Sequence, residues 1–177
     1  MSAITSTQAV LLGALQAAHN VLESTVADVD DELANRPAPG VANPVGSAYA
    51  HAVLSEDANV SRLSGQAPLC ASQWAGRTGT DRPISAAGRP EEPLGDWYRS
   101  VKVDMATLRD YTRAVYARSE EFIRSVDDET LGRETDSPLG KMPLAIMFSV
   151  FVIGHLNNLS GEVSAIKGAF GRKGYPF

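Results

Sequence analysis

The sequence predicts an all-α protein, one four-helix bundle spanning residues 1–177 as a single domain. Three observations lead there. Four segments carry apolar residues at steps of three and four, the period of one helix face. No segment shows the two-residue alternation of a strand. Between the second and third segments, residues 66–92 lose all periodicity and are rich in Gly, Pro, Ser, Thr and Arg. A link that long can run the length of a bundle and leave its flanking helices parallel, which gives an up-down-down-up order; a short loop would make them antiparallel.

The first helix is expected over residues 5–34, where Leu11, Leu15, Ala18, Leu22, Val26, Val29 and Leu33 form one stripe. The Pro- and Gly-rich residues 35–40 end it. Asn43 and Pro44 mark the next start, Asn as a capping acceptor and Pro at a position that needs no donor. The second stripe is Val45, Tyr49, Val53, Val60 and Leu63, closed by Gly65. The third helix is expected from Pro93 or Leu94 to Val126, with Val101, Leu108, Val115 and Phe122 repeating every seven residues. The fourth is expected from Pro143 to Phe170, ended by Gly171 and Gly174.

Composition narrows the function. The net charge of −5 lacks the basic footprint of a nucleic-acid binder. A single cysteine excludes an internal disulfide framework and any multi-thiolate zinc site. Residues 2–8 have neither the basic nor the apolar region of an export signal. The apolar run 142–156 is shorter than the roughly 18–20 residues that span a bilayer. Together with the lone thiol, these features point to a cytoplasmic protein without a membrane or nucleic-acid partner. Cys70 has no local base or helix N-terminus to activate it. Three histidines, His19, His51 and His155, suffice for one metal site, so their placement decides what that number means.

Asn43-Pro44-Val45-Gly46, His51, Glu56-Asp57 and Gly65-Gln66-Ala67-Pro68-Leu69, then His155, Gly161-Glu162, Ile166-Lys167-Gly168 and the tail from Gly171 to Phe177, form one ordered set of motifs. Together they resemble the DinB-like superfamily. Each motif is weak alone; their order and spacing are fairly specific and cover the whole chain. The resemblance implies a bacterial protein with the crossed four-helix connectivity. Many members of that family bind a divalent metal, zinc or nickel, through one His of the second helix and a His-x-x-x-His pair of the fourth. Some branches are mycothiol- or bacillithiol-dependent transferases and isomerases, and many others are described as metal-dependent hydrolases.

His51 and His155 match two of those ligand positions, but the third is Leu159, which has no lone pair. Catalytic zinc usually takes three protein ligands, so two imidazoles make an incomplete triad and point to a metal that is absent or weakly held. Asn158 is near His155 in phase, with an amide oxygen better suited to hard cations. Glu162 shares the stripe of His155 but lies about 10 Å further along the axis. His19 is expected about 10 Å from the level of His51, as a core or flanking histidine with its polar tip bonded. Imidazoles more than about 7 Å apart could not share an ion at zinc–nitrogen distances of about 2.0–2.1 Å. Two readings therefore stand side by side. One is an enzyme of unassigned reaction, a metal-dependent hydrolase or thiol-dependent transferase. The other is a metal-free small-ligand-binding or interaction bundle whose cavity is lined by His51, His155, Asn158, Leu159 and Glu162. Finally, residues 144–153 are apolar nearly all round, which predicts a homodimer through that helix, or cover from residues 66–92 with Trp74 packed on it.

Overall fold

The computed structural model describes residues 6–82, 84–85, 87–137 and 139–175. It is mostly helical. The long helices are α1 (Thr7–Val26), α3 (Val45–Ser64), α5 (Met105–Ser125) and α8 (His155–Ala169). Short helices α2 (Asp31–Ala34), α4 (Leu94–Ser100), α6 (Asp128–Gly132) and α7 (Leu144–Phe148) lie between them. Both α1 and α3 pack against α5 and against α8. The apolar stripes meet in one core around Leu15, Leu22, Tyr49, Val53, Leu108, Tyr111 and Val163. A Leu-sized side chain contributes about 1.5–3 kcal/mol when taken fully out of water, so these stripes dominate the stabilisation.

Two expected helices are divided. The first stops at Val26 and a separate turn, α2, begins where the Asp30 side chain accepts from the Leu33 N–H at 2.8 Å. The third divides into α4 and α5, where Asp104 accepts from the Thr107 N–H. Both breaks have one cause. An aspartate three residues before a free amide offers a better N-cap than a continued helix does. The α3 start also differs from expectation. Pro44 is the cap residue, and the Asn43 amide instead donates to Glu162 on α8 at 3.0 Å.

Strands appear where none was expected. Residues β1 (Glu134–Ser137) and β2 (Gly140–Pro143) form an antiparallel hairpin, with Glu134 opposite Pro143 and Ser137 opposite Gly140. The pairing is brief and mostly solvent-facing, so its sequence carries no apolar alternation. The helix expected from Pro143 begins at Leu144, and Ser149–Gly154 forms a π turn between α7 and α8. By length and composition the Leu144–Ala169 run is long and apolar enough to cross a membrane, contrary to the expectation from its shorter apolar core. Here α8 packs on α1 and α3, burying Leu156, Leu159 and Val163.

The 66–92 crossing is held at its start by one carboxylate. Asp57 of α3, fully buried, accepts from the Leu69 and Cys70 N–H groups, both at 2.9 Å, from the Tyr111 hydroxyl at 2.8 Å and from Arg118 at 3.3 Å. Further on, Gly79 passes so close to α5 that a Cβ there would sit 2.5 Å from the Leu108 backbone nitrogen, and its φ of +81° suits glycine. The crossing thus lies against α3 and α5. Trp74 packs beside Tyr111 at 5.8 Å, rather than on the final helix.

Candidate functional site

His51 on α3 and His155 at the first position of α8 meet: their Nε2 atoms are 3.2 Å apart and the rings stand at 84°. Both positions follow from local structure. His51 is on the α3 face turned away from the core stripe, where Leu54 and Ser55 leave open space. The π turn brings His155 to the same spot, and Asn59 ties α3 to that turn by donating to the Phe151 carbonyl at 3.3 Å. The Ser55 hydroxyl is 3.4 Å from His51, and the Tyr98 ring of α4 stands edge-on to His51 at 5.0 Å. Apolar periodicity did not single out Tyr98, because the expected third helix breaks before Asp104 and it is the separate α4 that brings this ring to His51.

Burial shapes the electrostatics. It lowers the His51 pKa to about 4, helped by the neighbouring His155, and it lowers His155 despite the opposing charge of Glu162. At neutral pH the pair is two uncharged imidazoles sharing one proton-mediated contact. One ring donates through Nε2 and presents a bare Nδ1; the other accepts and carries its proton on Nδ1. Burial and the Glu162 charge also raise the Tyr98 hydroxyl well above its ordinary value, so it stays a neutral donor.

Two cavities flank the pair and share His51, Ser55 and Asn59 as wall residues. The larger, about 790 Å³, lies between α3, the crossing and α4. The smaller, about 370 Å³, is bounded by Val150, Phe151, His155 and Asn158. Leu159 is buried in the apolar core and borders neither cavity, and Glu162 borders neither as well. Asn158 is exposed at the smaller cavity's wall.

The chain matches the family model of the DinB superfamily over residues 14–158. It belongs to the DinB superfamily. Among solved structures, it is similar to the crystal structure of a conserved protein from Enterococcus faecalis, with a TM-score of 0.78 and 22% identity over 96% of this chain and 100% of that one. That likeness is one of fold. Among curated proteins, none matches the chain.

In this DinB-superfamily chain, two imidazoles approach as metal ligands would. Nitrogens bound to one tetrahedral ion at about 2.0–2.1 Å are about 3.3 Å apart. The rest of the donor set does not fit a three-ligand catalytic metal. Among the described residues no group of three His, Cys, Asp or Glu side chains can hold one ion. The remaining acids near α3 are engaged elsewhere: Glu56 takes His19, and Asp57 anchors the crossing.

His19 lies deep between α1 and α3. Its Nε2 is 3.0 Å from Glu56, its ring stacks on Tyr116 at 3.6 Å, and Nδ1 is 4.0 Å from Glu120. It is no third ligand to the site, because Glu56 is five residues beyond His51, about 7 Å along α3. Cys70 is equally remote from the chemistry. Burial and the adjacent Asp57 carboxylate push its thiol up to about 12.

Proposed function

We propose that this DinB-superfamily protein binds a small organic molecule across the His51–His155 pair without a resident catalytic metal. In this reading the long helices form the up-down-down-up bundle expected from the sequence. The observation that carries the proposal is the combination at the pair itself: two imidazole nitrogens 3.2 Å apart, already satisfied by each other, with Leu159 turned into the core. A neutral imidazole pair offers one donor and one acceptor to a ligand and can move a proton between its two outer nitrogens. The flanking cavity of about 790 Å³ is within the roughly 300–1,000 Å³ typical of small-molecule sites.

The same nitrogen separation favours a second reading, a divalent ion held by His51 and His155 and completed by water or ligand. Metal analysis of the untagged protein separates the two. The metal-free reading expects far less than one equivalent of zinc or nickel, unchanged by His51→Ala. One equivalent per chain, lost in His51→Ala, would overturn it in favour of the metal reading.

A further inference from the structure

The larger cavity has a direction. His51, Ser55, Ala58 and Arg62 lie on one face of α3, and all four line it. Eleven residues separate the first from the last, so the wall runs roughly 16 Å along the helix axis. At one end is the imidazole pair. Towards the other, about 10 Å along at the level of Ala58, lies the crossing, where Ser85 and Arg89 close a tight turn: the Ser85 N–H donates to the Arg89 carbonyl at 2.8 Å, and Ile84 bridges to Pro90. That turn is fixed against α3, since a Cβ on Gly88 would sit 3.1 Å from the Ala58 methyl.

The charges at that end are unequal. Glu92 is 3.8 Å from Arg82, and Arg62 donates to the Asp136 carbonyl. Arg89, exposed at the cavity wall, has no hydrogen-bond or ion-pair partner for its guanidinium among the described residues. Between the two ends the wall mixes apolar Leu54, Ala58, Leu94 and Trp97 with polar Ser55, Asn59 and Ser61. The Trp97 side chain is completely buried and borders the cavity, and its indole N–H has no partner among the described residues.

We infer that the cavity takes an elongated organic carboxylate, its acid group at Arg89, its apolar body against Leu54 and Trp97, and a neutral polar end at the His51–His155 pair. The inference rests on the small-molecule reading above and gives it a ligand class. A guanidinium free of protein partners favours a carboxylate over a neutral group, whereas the imidazole pair offers a donor and an acceptor suited to a hydroxyl or carbonyl.

Calorimetric titration of the full chain tests it with ω-hydroxydecanoate, the decanediol of equal length, and ω-hydroxyhexanoate. The long acid should bind saturably and about tenfold more tightly than either comparison, a difference of about 1.4 kcal/mol. Arg89→Gln, on an exposed turn, should reduce the acid to the level of the diol and leave diol binding unchanged. The Trp97 indole N–H resonance should shift on binding of the long acid. Equal affinity for acid and diol, or an Arg89→Gln protein that keeps the preference, would overturn this inference while leaving the small-molecule site standing. Absence of saturable binding by all three probes would overturn both.

Discussion

Acid should unfold this protein partly through His51. Its folded pKa near 4 is below the ordinary 6.5, because burial beside His155 disfavours the imidazolium. Between those values the unfolded chain holds a proton that the folded chain does not. The stability is therefore complete above about pH 6.5 and is lost as pH falls through that window towards 4. At about 1.4 kcal/mol per pKa unit, the full loss is about 3 kcal/mol, a large share of a typical 5–15 kcal/mol fold stability. His155, lowered for the same first reason, adds to it. Urea unfolding at about pH 7 and about pH 4.5, on the natural protein and on His51→Gln, isolates the contribution, since the carboxylate titrations are common to both. The natural protein should lose more stability than the variant, by up to about 3 kcal/mol. His51 titrating near 6.5 by NMR, with no difference between the two proteins, would refute the desolvated neutral pair.

Three other outcomes are expected. His19→Leu leaves the fully buried Glu56 without its 3.0 Å partner and should cost about 3–5 kcal/mol in urea unfolding, with most of it recovered by adding Glu56→Leu. Additive losses in that double-mutant cycle would show that the two side chains are not coupled. Cys70, buried with its thiol held up near 12, should resist an aromatic disulfide reagent in the folded protein and react once after denaturation; rapid labelling of folded protein would contradict that burial. Ile146 on α7 and Val150 in the π turn stay about half exposed, four residues apart, so sedimentation should show a homodimer that Ile146→Asp weakens; a monomer at micromolar concentration would remove this pairing.

Much of the helical content was legible because the stripes at Leu11 to Val26, Val45 to Val60 and Leu108 to Ile123 have a strong period and bury in one core. The interruptions were less legible. Asp30 and Asp104 read as ordinary polar residues on long helices, yet each caps a new start, a local competition that apolar periodicity does not register. The hairpin at 134–143 escaped for a similar reason, since its short strands are at most partly buried and carry polar residues on their inner positions Thr135 and Ser137. At the site, His51 and His155 were found through resemblance, and the structure brings them together. Tyr98, Trp97 and Arg89 were not found. Their positions depend on where the crossing docks, and that is set by Asp57 reaching Leu69 and Cys70 across twelve and thirteen residues.

The π turn has a consequence for how sequences of this kind can change. An α-helix advances about 100° per residue and a π turn less, so winding all six residues of Ser149–Gly154 as α-helix would rotate everything beyond them by roughly one residue's angle relative to α7. His155 would leave His51, and the buried row of Leu156, Leu159 and Val163 would swing out of the core together. The encounter of the two imidazoles and the burial of the last helix are thus set by a single phase. A one-residue deletion that rewinds the turn into α-helix would keep that phase, whereas losing the π turn at full length would cost the fold and the site together.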